Sequence, residues 1–125
     1  MRVRVDNGGD TCVVHIEDVP LSVANGLRRT CLSQVTVPAF EHLLVRMNTS
    51  SQPDEVLAHR LGLVPLRGTG GDGTVTLKVK CEGIRRTVRL SDFVWPENVA
   101  PIHPETPIIE LTRGQQIDFE IGVVW

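Results

Sequence analysis

Tyrosine is absent from this chain, and aromatic residues make up only 4% of it. A platform that stacks single-stranded bases needs several rings on one face, so that class of nucleic-acid binding is disfavoured. A basic balance is missing too. The formal net charge is -2 and the pI about 6.1, which provides no field to gather nucleic acid or an anionic membrane. Cysteine is sparse: Cys12, Cys31 and Cys81 are odd in number, far apart and form no C-x-x-C pair. Neither a disulfide framework nor a zinc ribbon is indicated. No apolar run approaches the roughly 20 residues that span a bilayer. The opening MRVRVDNGGD places charge where a secretory signal has its apolar core. The expectation is a soluble, intracellular protein, in which the Asn48-Thr49-Ser50 sequon is silent.

Catalytic patterns are lacking as well. His15, His42, His59 and His103 have no ligand spacing among themselves or with the cysteines, whereas a metal site needs three or four converging ligands. No Ser, Cys or Thr sits in a nucleophile elbow or beside an acid–base pair. Gly68-Thr69-Gly70-Gly71-Asp72-Gly73 fits G-x-G-x-x-G in form. A dinucleotide site needs a strand before that motif and a helix after it; here the strand-like TVTLKVK follows, so a flexible hairpin loop is expected. His103-Pro104-Glu105-Thr106-Pro107 reads as a stiff crossing loop. Arg28-Arg29 and Arg85-Arg86 suit phosphates, a solvated face or a protein interface, where a planar guanidinium pairs bidentately and tolerates desolvation.

What the chain does have is alternation and punctuation. At 125 residues, 41% of them apolar, it suits one compact domain or two very small ones. Val3 to Val5 and Thr11 to Glu17 flank the turn Asp6 to Asp10 and predict a hairpin. Ser22 is a candidate cap for a helix carrying Val23, Leu27 and Cys31 on one stripe, with Ala24 and Leu32 beside it. Gly26 inside that helix costs about 1 kcal/mol against Ala, which implies a close neighbour. AFEHLLVRM after Pro38 predicts a strand whose alternation breaks at Leu44. Ser51 with Asp54 forms a loose capping box, and Pro53 suits a first turn. Val56, Leu57 and Leu61 would form the apolar face of a short helix stopped by Gly62 and Pro65. TVTLKVKC, RRTVRLSDF, PIIEL and QIDFEIGVVW then predict strands. The last of these stops on Trp125 in mid-strand, as an exposed edge or a place where more chain belongs would. Composition shifts near Asn48.

Three stretches carry a resemblance: Ala24-Asn25-Gly26-Leu27-Arg28-Arg29, Asn48-Thr49-Ser50, and DEVLAHRLGLVPL from Asp54 to Leu66. In this order they resemble an assembly subunit of multisubunit DNA-dependent RNA polymerases. That family comprises the eukaryotic third-largest subunit and the archaeal D subunit, with the bacterial alpha N-terminal domain more remote. ELTRGQQIDFE, Glu110 to Glu120, extends the resemblance to nearly the whole chain. It implies an α+β fold: residues 1–49 as the N-terminal half of a dimerisation module, a small sheet with a helix, and residues 50–125 as a β-rich insert domain. It also implies a non-catalytic scaffold without a cofactor. The partners would be a small L-like subunit, the two large catalytic subunits and small zinc-binding subunits, with DNA met only through the complex. The enzyme would reside in the nucleus, or in the cytoplasm or virion if archaeal or viral.

The same resemblance assigns partner contacts to Asn25, Leu27, Arg28 and Arg29 on the first helix. His59, Arg60 and Gly62 match the core of the third stretch. There Leu57 and Leu61 would tie the helix down, leaving His59 and Arg60 to meet partners or brace the fold. Three departures stand out. Cys81 alone cannot supply the cysteine cluster of many relatives, Glu41 stands where an Asp is frequent, and the chain stops where the insert would end. A further polypeptide completing the module is therefore expected, or a cut chain. Two other readings share these residues: a truncated decoy that diverts assembly, and a free-standing nucleic-acid or nucleotide binder using Arg28, Arg29, Arg85, Arg86 and the glycine loop.

Overall fold

Two-residue periodicity shapes most of this molecule. The computed structural model describes residues 1–125, which divide into two units, Met1–Thr36 and Val37–Trp125.

In the first unit, β1 (Arg2–Gly8) pairs antiparallel with β2 (Thr11–Glu17) from Arg2↔Glu17 to Gly8↔Thr11. The expected hairpin is present, and its ladder runs further into the turn than predicted. Gly9, at φ 75°, supplies the positive φ that a two-residue hairpin turn needs at its first central position. The register groups Val3, Val5, Val14 and Ile16 on one face and Arg2, Arg4, His15 and Glu17 on the other. Helix α1 (Leu21–Ser33) follows. Ser22 does not cap it. Pro20 holds that position, and its carbonyl accepts from the amides of Val23 and Ala24 at 3.0 and 3.3 Å. Nor does Gly26 admit a close neighbour within its own unit, since a Cβ there would meet open space.

The second unit contains β3 (Ala39–Asn48), α2 (Asp54–Gly62), β4 (Leu66–Gly68), β5 (Gly73–Lys80) and β6 (Arg85–Arg89). A 3-10 turn at Leu90–Asp92 leads on to β7 (Val99–Pro101), β8 (Pro107–Thr112) and β9 (Gln116–Val124). The chain is thus mixed α and β, with β3-β9-β5 as its three-stranded sheet and β4-β7 and β6-β8 as two-stranded ones. β9 is the centre of its sheet, which corrects the expectation of an exposed edge. β4 and β7, three residues each, were not expected. β3, assigned by sequence to the first module, packs in the second unit through Phe40, Leu43 and Val45.

Burial follows the pleat. On β5 Val75, Leu77 and Val79 are buried, and Cys81 continues the row; on β9 Ile117, Phe119, Ile121 and Val123 are. Leu57 and Leu61 of α2 join this core at 0% and 1% exposure. Val56, expected on the same face, is 41% exposed because it lies about 100° around the helix from Leu57. Phe93 stands edge-on to Phe119 with centroids 5.7 Å apart and stacks on Trp95 at 6.0 Å. Such pairs add to plain area burial.

Leu61→Ala should destabilise the second unit by about 2–5 kcal/mol, the usual cost of a truncated core leucine. Trp95 and Trp125, the chain's two tryptophans, both lie in that unit. Urea unfolding followed by their fluorescence reads it directly, and Val56→Ala should change the midpoint little.

Candidate functional site

The third resembling stretch is held in place by the second. Asn48, at the end of β3, donates from Nδ2 to the carbonyl of Gln52 at 2.9 Å and to Asp54 Oδ1 at 2.7 Å. Its Oδ1 accepts the amide of Ser50 at 3.0 Å and the Ser50 hydroxyl. Thr49 closes the other side. Its amide donates to the carbonyl of Gln116 at 2.9 Å, and its Oγ1 accepts the Gln116 amide at 2.7 Å. The sequon is therefore a clasp between β3, the start of α2 and the start of β9. This clasp replaces the expected Ser51 capping box: Pro53 occupies the N-cap with no side-chain bond, and its carbonyl accepts from Val56 and Leu57.

Asp54 and Glu55 lie in the first turn of α2 and Arg60 in its last, beside His59, so the acidic and guanidinium charges are each matched to their end of the helix dipole. The helix ends at Gly62, with Leu63 as a right-handed cap at φ -93° rather than a left-handed glycine. Its residues form two rows. Leu57, Leu61 and Val64 face the core, while Val56, His59, Arg60 and Leu63 form an exposed row at i, i+3, i+4 and i+7. Arg60 reaches the carbonyl of Pro107 at 3.5 Å and pairs with no carboxylate. Bracing of the fold by Arg60 is confined to that one long bond.

Asn25, Leu27, Arg28 and Arg29 lie on α1 in the other unit, all exposed. Asn25 and Arg29 share a face four residues apart, with Arg28 beside them and Leu27 on the apolar stripe. The six residues picked out by resemblance thus form two separate sets. No residue of Met1–Thr36 is buried: Val3, Val5, Val14, Val23 and Leu27 are each 45–57% exposed.

The remaining features that the sequence singled out are placed as follows. Gly68 to Gly73 joins β4 to β5, which belong to different sheets, so the loop is not a hairpin. Asn98 Nδ2 donates to the carbonyls of Gly70 and Gly71 at 3.1 and 3.3 Å, and Trp125 Nε1 donates to Gly71 at 2.7 Å. A phosphate cradle presents amide N–H groups to its ligand; here the carbonyls meet the donors. Glycine is required at position 68, where a Cβ would lie 2.5 Å from the carbonyl of Asn98. No local spacing in the sequence announces these long-range contacts. Arg85 and Arg86 are engaged by Glu110 and Asp92. Arg46 bonds Glu120 at 2.6 Å and lies 3.8 Å from Asp118, and the Glu120 bond raises its pKa. No three His, Cys, Asp or Glu side chains converge as a metal site, the three cysteines are free, and no helix is long and apolar enough to cross a membrane.

No protein-family model matches the chain. Individual proteins do. It is 38% identical over 107 residues to the DNA-directed RNA polymerase subunit Rpo3 of Methanocaldococcus jannaschii, covering 84% of this chain and 55% of that one. Rpo3 of Pyrobaculum aerophilum is 35% identical over 124 residues, covering 84% and 47%, and that of Pyrococcus horikoshii 33% over 121, covering 88% and 46%. Over the shared region the chain is a homologue of these archaeal Rpo3 subunits. It spans about half the length of the curated Rpo3 relatives it matches. The resemblance carried by the three sequence stretches is thereby substantiated over most of the chain.

Asn48→Ala removes the acceptor and donors that order the α2 approach. Net hydrogen-bond contributions of about 0.5–1.5 kcal/mol each predict a loss of about 1–3 kcal/mol, measured as above. Arg60→Ala, with one long bond to lose, should stay within about 0.5 kcal/mol of the parent.

Proposed function

We propose that this chain is a non-catalytic structural and assembly subunit of a DNA-dependent RNA polymerase. In this reading residues 1–49 form half of a dimerisation module and residues 50–125 an insert domain. The module pairs with a small L-like subunit and is completed by another stretch of polypeptide. The two large catalytic subunits dock on the pair, assisted by small zinc-binding subunits, and DNA is met only through the assembly. The chain resides wherever that polymerase works.

The observation that carries this reading is the first unit's lack of a core. Ordering a residue's backbone costs about 1–2 kcal/mol, which folded chains offset chiefly by burying apolar surface. Met1–Thr36 buries no residue, yet its hairpin has a valine-rich face and its helix an apolar stripe. Exposed apolar surface of that kind marks a protein–protein contact. Arg28 and Arg29 border the stripe without a carboxylate partner, in keeping with an interface that supplies one. The Rpo3 relatives supply the class of assembly.

Nothing favours the decoy, which would need the same contacts. The free-standing binder is disfavoured by the glycine loop, whose carbonyls face donors, and by the engagement of Arg85 and Arg86 with carboxylates.

The test is co-purification. Arg29→Glu in the tagged chain should lower recovery of the large subunits at least several-fold, while tryptophan fluorescence of the second unit stays unchanged. Undiminished recovery, or a wild-type chain that recovers no polymerase subunit, would overturn the assignment.

A further inference from the structure

Resting on that subunit reading, we infer that the groove between α2 and the β6–β8 pair seats an acidic, partly apolar polypeptide segment of a neighbouring polymerase subunit. The groove encloses about 210 Å³ and is lined by Arg60, Thr87, Pro107, Ile108, Ile109 and Glu110. Its lining is mixed polar and apolar, and Ile108 and Ile109 along it are themselves buried at 2% and 5% exposure. Its rim is charged, and the charges do not cancel. Glu110 is engaged by Arg85, and Asp92 by Arg86 at 3.6 Å. Arg60 has no carboxylate, only the 3.5 Å bond to Pro107, at the long limit of a hydrogen bond. Exposed His59 stands next to it. The uncompensated charge at this groove is therefore positive, on a fork-shaped group suited to bidentate capture of a carboxylate.

The ends of the exposed α2 row define the rest of the occupant. Val56 and Leu63 are 41% and 71% exposed and lie on either side of His59 and Arg60. At 1.5 Å per residue, the row is about 10 Å long. A short segment with an Asp or Glu between apolar residues matches it in length and character. A phosphate would satisfy Arg60, but it would leave the exposed Val56 and Leu63 unused. The chain's net charge of -2 also offers a polyanion no wider field.

The experiment places a photoreactive amino acid at Thr87, on the groove's rim, in the tagged full chain purified within the polymerase. The expected adduct is a peptide of another subunit with an acidic residue near the attachment point. Arg60→Glu should lower the adduct yield about tenfold or more, the scale of one charge-assisted hydrogen bond, while the chain stays in the enzyme. Arg60→Lys should retain part of it, and unchanged tryptophan fluorescence certifies the fold of both variants. An adduct to nucleic acid, an adduct to a peptide without acidic residues, no adduct from an incorporated chain, or a yield indifferent to Arg60→Glu would each overturn the inference and leave the subunit reading standing. A wild-type chain recovered without polymerase subunits would instead remove the subunit reading, and this inference with it.

Discussion

The second unit depends on β9 lying between β3 and β5. Ile117, Phe119, Ile121 and Val123 all face the core at 0–1% exposure, so the strand contributes a side chain at every second position. Its partners come from distant parts of the sequence: Asn48 pairs with Ile117, and Val79 pairs with the same residue from the other side. Two irregularities let β3 keep this register. Glu41 and His42 fit between Phe40↔Val123 and Leu43↔Ile121, and Arg46 fits between Val45↔Phe119 and Met47↔Asp118. Each is a bulge, and bulges re-aim side chains. The second one turns Arg46 to Glu120 and Asp118 on the solvent side of β9. Core packing on one face and an ion pair on the other thus hold one strand in one register.

The two units differ in how they are stabilised. In Val37–Trp125, one row of α2 and alternate rows of β5 and β9 meet in one cluster that leaves no buried polar side-chain atom unsatisfied. Met1–Thr36 has equally regular secondary structure but nothing to bury it against within itself. Hydrogen-bonded ladders and helical turns contribute little net stability in water, because the unfolded backbone bonds to solvent equally well. A two-stranded ribbon and a 13-residue helix are each marginal in isolation. Regular structure without burial is what the proposed half of a dimerisation module would show by itself.

The elements were legible wherever the signal was local. Alternation marks β5 and β9, and i, i+4 spacing identifies Leu57 and Leu61 as core. Errors arose where local rules compete or are silent. Ser22 and Ser51 satisfy the capping rule, yet Pro20 and Pro53 take both N-caps: each proline is fixed in an extended conformation, with ψ of 145° and 154°, and offers its carbonyl to the first turn. Leu44 breaks the apolar alternation as an exposed residue in regular pairing with Glu120, while the bulges at Glu41–His42 and Arg46 are invisible until β9 is laid beside the strand. An alternating strand reads alike whether it is paired on one side or both, so β9 looked like an edge. β4 and β7 are too short to show a period. The six residues assigned by resemblance rest on motif order alone, since exposed side chains have no packing signature. Their division between two units is a property of the fold.

Why the stretch from Asp54 to Leu66 is so ordered now has a physical answer. A helix of nine residues is too short to be stable through its own turns. It is held by Leu57 and Leu61 from below and by Asn48 at its start, and just past its end the Pro65 carbonyl accepts the Ile102 amide at 3.2 Å. Those restraints fix its rotation as well as its position, and a fixed rotation determines which residues point outward. Val56, His59, Arg60 and Leu63 are therefore presented as a preformed row, with the ordering cost met by the core before any partner arrives. A preorganised surface binds with less entropic loss than one ordered on contact. A helix required only for packing would carry polar residues on its outer side. Two aliphatic side chains flanking a histidine and an arginine without a carboxylate are what the proposed partner-facing role of this row would use.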